Sequence, residues 1–372
     1  MTQSIDRLLA YQIEARHFPG ALVHVERGGK VLVRKAAGRL GAASDLPMHD
    51  RALFRLASLS KPVVSLAALM QVAEGRLVLD APAADYLPVL RKLRMKSGLP
   101  PQCAPTIRDL LRHTSGLAYE WEIRDAELRE LALKSDFAGQ MPYVGADAFL
   151  DGLTAQPLAT EPGGEFRYGY STDVLGLIVA AVDGAALGQA LRTRIFEPLG
   201  MTETGFEVPP SEQARLATAW PADAAWHARV AGYGVRGEGR PWMESGGGGL
   251  VTTLDDYVRF ARLLANGGCL GEQRLLPEAL FREMSRNQLA EGIDGPLAYT
   301  SSGFGFGLGL AVRLDQGPAA MPCAAGELAW SGISGTALFV DPGRQWFAIG
   351  FTSNMSSRMM ARLEFRRALA FI

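Results

Sequence analysis

The sequence predicts an α+β fold, with a largely antiparallel sheet flanked by helices and a mainly helical domain inserted into it. Strand-like runs occur near both ends of the chain, whereas the middle is helical. The closing strand-like runs follow one another through short turns, which favours antiparallel pairing. We therefore expect residues 1–80 and 225–372 to form one sheet domain and residues 81–224 to form the helical domain.

The first elements are a helix and a hairpin. Apolar residues recur at helical spacing from Ile5 to Ile13, as in an amphipathic surface helix. Residues 21–35 then alternate apolar and polar on both sides of Gly28-Gly29. This pattern is typical of a β-hairpin.

Helical and strand-like stretches follow in separate blocks. The helical stretches of the middle are 106–113, 125–135, 171–184 and 186–196. The late strand-like runs are 303–315, 326–332, 335–342 and 345–354, and the segment 356–372 is helical again. The glycines of 303–310 lack the strand-then-helix context of a nucleotide loop, so we expect a strand beside the site there. The SGGGGL run at 245–250 predicts a tight passage of the backbone.

Composition is that of an ordinary globular protein. Of 372 residues, 48% are apolar and 21% charged, and the formal net charge is −1, so no field draws the chain toward nucleic acid or an acidic membrane. The N-terminus lacks a basic region followed by an apolar run, and no stretch approaches the roughly 18 apolar residues of a membrane span. Cys103, Cys269 and Cys323 lack metal-ligand spacing. We expect a cytoplasmic protein without metal, cofactor, nucleic-acid or membrane partner; oligomeric state stays open.

The segment 54–75, FRLASLSKPVVSLAALMQVAEG, places an S-x-x-K motif at the head of an apolar helix. If Ser58 opens the helix, Lys61 lies one turn above it on the same face, and Pro62 is tolerated in the first turn. Burial by the apolar body lowers the pKa of the lysine toward a neutral amine that can accept the serine proton. Serine is also a good N-cap, so the motif alone leaves a structural role open.

Further motifs carry a resemblance to a known family. S-x-x-K is a signature of penicillin-binding proteins and β-lactamases. Landmarks in that superfamily's order follow: TIRDLLRHTSGL at 106–117, EPGGEFRYGYSTDVLG at 161–176, EPLGMTETGF at 197–206, SGGGGLVTTLDDYVRFARLLANGG at 245–268 and WSGISGTALFVDP at 330–342. Over nearly its whole length the chain resembles the serine β-lactamase/penicillin-binding superfamily, in its class C-like branch, and most of all the family VIII carboxylesterases. The resemblance leaves structural roles for Ser60 and Ser65.

The second element of that superfamily is a tyrosine, usually in Y-x-N. The resemblance implies that Tyr168 of FRYGYSTDVLG is catalytic, since it lies two residues after Phe166 and five before Asp173, as in the esterase-like members. Tyr170 then replaces the asparagine that contacts the substrate amide in relatives. This departure disfavours β-lactam and peptide recognition. Without the match of the surrounding residues to the superfamily motif, either tyrosine would be interpreted as a half-buried aromatic residue whose hydroxyl is hydrogen-bonded.

The third element, K-T-G or H-x-G in lactamases and peptidases, reads Trp330-Ser331-Gly332 here, similar to the W-x-G of the esterases. The lysine of K-T-G is absent here, so the motif has no cation to bind a substrate carboxylate. Trp330 supplies an apolar wall in its place, which suits an uncharged ester. Gly332 lets the substrate approach the backbone, so the amides of Ser58 and Ile333 are expected to form the oxyanion hole. A strand tryptophan packed beside a bend is the structural alternative.

The resemblance implies transfer of the acyl group of a small-molecule ester, first to the enzyme and then to water. Ser58 attacks the carbonyl, Lys61 and Tyr168 act together as general base, Tyr168 returns the proton to the leaving alcohol, and water cleaves the acyl-enzyme. A β-lactamase or D-amino-peptidase-type amidase is the alternative within the superfamily. An inactive homologue that serves as a binding module is the alternative from another class.

Two other readings are less favoured by the sequence. The α/β-hydrolase scaffold requires a G-x-S-x-G elbow and a late histidine, but the chain has no such elbow and its last histidine is His227. His113 invites a catalytic role, but it ends a helix before Ser115-Gly116. We expect it to be a cation at the helix end or a loop anchor.

Overall fold

The computed structural model describes residues 2–42, 44–135, 141, 143–237, 239–315 and 322–370. Its strands are β1 (Gly20–Arg27), β2 (Lys30–Gly38), β3 (Phe54–Arg55), β4 (Val251–Thr252), β5 (Cys269–Leu270), β6 (Gln273–Arg274), β7 (Phe304–Phe306), β8 (Ala311–Arg313), β9 (Leu328–Ser331), β10 (Ala337–Asp341) and β11 (Trp346–Thr352). Seven of them form one sheet in the order β2-β1-β11-β10-β9-β8-β7, in which every adjacent pair is antiparallel, while β3 pairs with β4 and β5 with β6. Strands from both ends of the chain share this sheet, which confirms the predicted α+β class.

The helices surround this sheet and fill the middle of the chain. They are α1 (Thr2–Glu14), α2 (Ser60–Ala73), α3 (Ile107–Leu111), α4 (Ala126–Lys134), α5 (Ala146–Ala155), α6 (Ser171–Asp183), α7 (Leu187–Leu191), α8 (Glu197–Leu199), α9 (Ala224–Arg229), α10 (Leu254–Ala265), α11 (Glu278–Ser285), α12 (Leu297–Thr300) and α13 (Arg358–Leu369). None of them, taken singly, has the length and apolar character needed to cross a membrane; α6 and Leu187–Leu199 meet that test only together, across a 76° bend.

The N-terminal hairpin forms where the alternation predicts it. Gly28 and Gly29 join β1 to β2 with φ of 54° and 76°. Positive φ at both turn residues is what a two-residue hairpin turn requires, and glycine adopts it without steric cost. β1 then pairs with β11, so the hairpin joins the C-terminal strands directly.

Helices cover both faces of the sheet. Side chains of successive strand residues point to opposite faces. In β11, Gly350 faces the ring of Phe365 in α13, whereas Phe351 packs on Tyr257 of α10 with ring centroids 5.6 Å apart. The sheet is therefore the middle layer between α13 and α10.

The middle of the chain folds as helices. Between residues 81 and 224, the described part contains helices and loops but no strand. A capping box between Thr106 and Asp109 begins α3, in which each side chain accepts from the other residue's backbone amide. One buried apolar cluster includes Leu175 of α6, Leu66 of α2 and Phe351 of the sheet, so the two regions share a core. The division into domains at residues 81 and 224 stays a prediction.

The glycine-rich run at 303–315 differs from the expected single strand. It forms two antiparallel strands, β7 and β8. Between them, Gly309 has a φ of 103°, and a Cβ there would collide with the side chain of Ser65. The run therefore turns over helix α2, and Ser65 has the structural role expected of a small buried residue.

Candidate active site

Ser58 lies at the mouth of a cavity, in a tight turn just before α2. The turn is a 3₁₀ helix, Ala57–Leu59, so the expectation that Ser58 opens the α-helix itself is wrong by one short turn. Ala57 has a φ of 46°, in the left-handed region that costs a non-glycine residue about 1 kcal/mol. The left-handed residue lies between β3 and α2, and Ser58, the next residue, lines the cavity.

Lys61 occupies the first turn of α2 and is only 1% exposed. Its Nζ donates to the carbonyl oxygen of Gly247 at 2.6 Å and lies 3.4 Å from Ser58 Oγ. A third contact, also 3.4 Å, joins Nζ to the hydroxyl of Tyr119. The S-x-x-K spacing therefore brings the amine and the serine together, as the sequence predicts, while a backbone carbonyl provides the shortest contact.

Gly247 belongs to the predicted tight passage at 245–250, which rests on the start of α6. The Asp173 carboxylate, 3% exposed, accepts from Ser245 Oγ at 2.5 Å and from the Gly247 amide at 3.0 Å. Burial raises the pKa of Asp173, while the Lys61 charge and these hydrogen bonds oppose the shift. A Cβ at Gly247 would collide with Asp173 Oδ2, so this passage requires glycine.

Tyr168 lies in the cavity, but its ring rather than its hydroxyl faces the lysine. Lys61 Nζ is 4.8 Å from the centroid of the Tyr168 ring, within range of a cation–π contact. The Tyr168 hydroxyl is buried and has no hydrogen-bond partner among the described residues. Its predicted catalytic role stays a prediction, and the hydroxyl that reaches Lys61 in this structure is that of Tyr119.

The sequence reasoning missed Tyr119. It lies in the loop after α3, where the Tyr119 amide donates to Tyr168 O at 3.0 Å and Ala118 bridges Gly169. Burial, helped by the Asp173 charge, raises the pKa of the Tyr119 phenol well above its usual value, so the phenol is neutral at neutral pH. Its only sequence signal is that a tyrosine follows the landmark TIRDLLRHTSGL closely.

Tyr170 also lines the cavity, beside Tyr119, with ring centroids 4.6 Å apart. Burial is the main cause that raises the pKa of its phenol. Its backbone carbonyl accepts from the Val174 amide and begins α6. The ring thus faces the space in which the resemblance places a substrate contact.

Trp330, Ser331, Gly332 and Ile333 line one wall of the same cavity. Trp330 is 4% exposed and packs on Tyr168 with ring centroids 5.2 Å apart. A Cβ at Gly332 would collide with the Leu56 carbonyl and the Thr336 hydroxyl, so the packing of the protein itself requires glycine here. The approach of a substrate to the Gly332 backbone stays a prediction.

The wall also carries cations that the tryptophan motif does not reveal. Arg229, Arg358 and Arg362 line the outer cavity. Arg362 donates to Ser331 Oγ and to the Tyr299 carbonyl, and burial together with the Arg358 charge lowers the pKa of Arg362 to about 10. Among the described residues Arg229 lies 4.0 Å from a Glu120 carboxylate oxygen, whereas Arg358 and Arg362 form no ion pair. The cavity is therefore less apolar than the loss of a lysine suggests.

His113 and Ser60 have structural positions. His113 is 1% exposed with a φ of 57°, and its carbonyl accepts from the Arg167 amide. Burial and the Lys61 charge lower its pKa well below 6.5, so it is a neutral loop anchor and not the helix-end cation that was the other expectation. Ser60 Oγ accepts from the Leu250 amide at 3.1 Å, as its expected structural role requires.

The cavity has a volume of about 760 Å³, which is within the usual range for a small-molecule site. Aromatic side chains surround Ser58, and the partly exposed Trp121, Leu133 and Met359 reach the rim. The Ser58 hydroxyl and the phenols of Tyr119, Tyr168 and Tyr170 thus line one concave site, and the Lys61 amine lies 3.4 Å from that hydroxyl, an arrangement that suits nucleophilic catalysis.

Comparisons with known proteins identify the family of the chain. The sequence model of the Beta-lactamase family matches residues 5–371. Esterase EstB of Burkholderia gladioli is 33% identical over 356 residues, which cover 91% of this chain and 86% of that protein. Lovastatin esterase of Penicillium rubens is 30% identical over 286 residues, covering 72% and 69% of the two chains.

Among solved structures, EstCE1, described as a hydrolase with promiscuous acyltransferase activity, superposes with a TM-score of 0.84 at 26% identity, covering 99% of this chain and 97% of that one. The superfamily inferred from the S-x-x-K, tyrosine and tryptophan motifs is confirmed. The chain belongs to the β-lactamase family, within the serine β-lactamase/penicillin-binding superfamily.

Proposed function

We propose that the protein is a carboxylesterase that cleaves small-molecule esters through an acyl-enzyme on Ser58. The names of EstB and lovastatin esterase support a serine hydrolase that acts on esters. The observation that carries the proposal is the 3.4 Å approach of Lys61 Nζ to Ser58 Oγ, which lines the cavity, with the amine held on the Gly247 carbonyl. A lysine in this position can take the hydroxyl proton as the oxygen attacks.

The reaction divides into two acyl-transfer steps. In the first, the Ser58 proton passes to Lys61, the oxygen adds to the ester carbonyl, and the tetrahedral intermediate expels the alcohol, which takes a proton from the enzyme. In the second, water adds to the acyl-enzyme, gives up a proton to the same base, and releases the acid and Ser58. No metal or organic cofactor takes part in these steps.

The phenols complete the proton path. We assign the protonation of the leaving alcohol to the Tyr168 phenol, whose ring lies beside Lys61. The proton that Lys61 took from Ser58 then passes to the Tyr168 oxygen, so that the amine is again a base when water attacks; the proton taken from water finally returns to Ser58 as the acid leaves. Tyr119 supports the amine through its 3.4 Å contact, and its raised pKa makes it a neutral partner and not a second base. The amides of Ser58 and Ile333 are the proposed donors to the developing oxyanion.

Features of the cavity favour esters over β-lactams. Tyr170 takes the place of the asparagine, and Trp330 the place of the lysine, that the lactamase motifs contain. An uncharged ester needs neither group, because it has no amide for the asparagine to contact and no carboxylate for the lysine to bind. β-Lactamase or amidase activity is the alternative, and a weak side activity on β-lactams is compatible with the same nucleophile.

Transfer of the acyl group to a second alcohol is a further candidate. EstCE1 is described as a hydrolase with promiscuous acyltransferase activity. An alcohol that occupies the aromatic cavity in place of water would accept the acyl group from Ser58 and form a new ester, with the proton again passing to the base. Product analysis of p-nitrophenyl butyrate turnover with added butanol separates transfer, which yields butyl butyrate, from hydrolysis.

One substrate panel tests the proposal. Turnover of p-nitrophenyl butyrate, nitrocefin and a D-Ala-D-Ala peptide is compared for wild type, Ser58→Ala and the matched control Ser60→Ala. We expect ester turnover that Ser58→Ala abolishes and Ser60→Ala retains. Nitrocefin turnover well above every ester would favour the lactamase alternative, and no turnover of any substrate would favour a binding module. The proposed cytoplasmic location is tested separately by cell fractionation.

A further inference from the structure

The carbonyl that holds Lys61 is itself held by a buried carboxylate. Asp173, in the first turn of α6, accepts from Ser245 Oγ and from the Gly247 amide through the same oxygen, Oδ1. Both donors belong to the glycine-rich passage. A single carboxylate therefore fixes this passage at two points, one of them the residue whose carbonyl meets the lysine.

The passage has little room to move. A Cβ at Gly247 would collide with Asp173 Oδ2, and one at Gly246 would lie 2.5 Å from the Thr172 carbonyl. The backbone thus lies directly on the first turn of α6. Because the Gly247 amide and carbonyl flank one Cα, fixing the amide on Asp173 also directs the carbonyl toward Lys61, where the contact is 2.6 Å.

The carboxylate also interacts electrostatically with the catalytic groups. Four titratable side chains influence Asp173 or are influenced by it: Lys61 on α2, and the phenols Tyr119, Tyr170 and Tyr233. Lys61 is the only cation among these four. The Lys61 charge in turn opposes the rise that burial causes in the pKa of Asp173.

We propose that Asp173 is a positioning residue for ester cleavage, which holds the Gly247 carbonyl against Lys61 and so keeps the amine beside Ser58. The inference rests on the proposed function. Asp173 transfers no proton and forms no bond with the substrate in this account. Its effect on the rate passes through Ser245, Gly247 and Lys61.

The test measures how fast a fluorophosphonate labels Ser58, together with kcat, KM and the pH profile for p-nitrophenyl butyrate. Asp173→Asn keeps the size of the side chain but removes the charge. We expect labelling and kcat to fall roughly 10- to 100-fold, with KM nearly unchanged, because the base is displaced from its reacting position. The pH profile of kcat/KM should change as well, because Asp173, whose own pKa burial raises, no longer titrates beside the site.

The matched control is Asp256→Asn. Asp256 is also a buried first-turn aspartate whose pKa burial raises, but it accepts from Glu203 and Thr204 and does not line the cavity. This variant should lose thermal stability and keep the wild-type labelling rate and pH profile.

The outcomes separate the inference from the proposed function. Wild-type labelling and an unchanged pH profile in Asp173→Asn would overturn the inference. If that variant does not fold, Ser245→Ala replaces it, and a labelling rate equal to wild type would again contradict the inference. Absence of phosphonate on Ser58 in the wild-type protein would instead overturn the proposed function itself.

Discussion

The amine of Lys61 lies 2.6 Å from the carbonyl oxygen of Gly247, closer than its 3.4 Å distance to Ser58 Oγ. The base is therefore held in place by the backbone of a distant segment and not by the motif that contains it. A local S-x-x-K spacing brings the amine near the hydroxyl, and the tertiary fold fixes its final position.

Gly247→Ala should displace the carbonyl, because the new Cβ collides with Asp173 Oδ2. We expect kcat for p-nitrophenyl butyrate to fall on the order of 100-fold, the cost of a small misplacement of a catalytic group. Gly145→Ala is the control, since a Cβ at Gly145 has nothing within 4 Å. Equal kcat in wild type and Gly247→Ala would show that this carbonyl does not position the base.

Replacing each cavity tyrosine by phenylalanine removes only its hydroxyl and so separates the roles of Tyr119, Tyr168 and Tyr170. Tyr168→Phe should abolish turnover, because the leaving alcohol loses its proposed proton donor. Tyr119→Phe should lower kcat by about 10-fold, since its hydroxyl supports Lys61 at 3.4 Å without accepting the proton. Tyr170→Phe should mainly change the ratio of kcat/KM values between esters. Full turnover in Tyr168→Phe together with none in Tyr119→Phe would exchange the two roles.

The arginines of the cavity predict a preference for esters that bear a carboxylate, which the tryptophan motif alone does not predict. Arg358 and Arg362 have no carboxylate partner among the described residues, so an ester bearing a carboxylate gains an ion pair there. Arg358→Gln should raise KM for mono-p-nitrophenyl succinate about 5-fold, equivalent to roughly 1 kcal/mol, and leave KM for p-nitrophenyl butyrate unchanged. Arg282→Gln, which changes an exposed pair with Glu278, is the control. Equal KM changes for both esters would contradict an anion contact at Arg358.

His113 should make the fold sensitive to acid. Its folded-state pKa lies well below the value of about 6.5 for an exposed histidine, because burial and Lys61 disfavour the charged form. As pH falls, His113 therefore becomes protonated in the unfolded chain at a higher pH than in the folded protein. The free energy of unfolding that this residue contributes is fully present above pH 6.5 and is lost below it, by up to about 1.4 kcal/mol per pH unit.

Urea unfolding at several pH values between 5 and 7 checks this prediction. His113→Asn removes the titrating group and keeps a residue type that tolerates the φ of 57°. The variant should be less stable at pH 7 and should show a shallower dependence on pH. The same pH slope in both proteins would show that His113 does not cause the acid sensitivity.

The sequence predicts those parts of the structure that depend on local patterns of residues. The alternation around Gly28-Gly29 predicts β1 and β2, and the S-x-x-K spacing predicts the meeting of Ser58 and Lys61, because both features depend on neighbouring residues. Resemblance to the superfamily places Tyr168 and Trp330 in the cavity.

The features that sequence reasoning missed depend on long-range contacts. Tyr119 reaches Lys61 only because its loop pairs with the segment around Tyr168, far along the chain. The Gly247 carbonyl is a backbone atom, which no residue type reveals. Arg362 lies on α13, whose pattern of charges resembles an ordinary surface helix.

The central claim is that Ser58 carries the acyl group. Mass spectrometry of the protein quenched during turnover of p-nitrophenyl butyrate, followed by peptide mapping, tests this claim most directly. We expect a butyryl adduct on the peptide that contains Ser58. In Ser58→Ala, both the adduct and the ester turnover should be absent. Turnover that persists in Ser58→Ala, or an adduct on another residue, would contradict the claim.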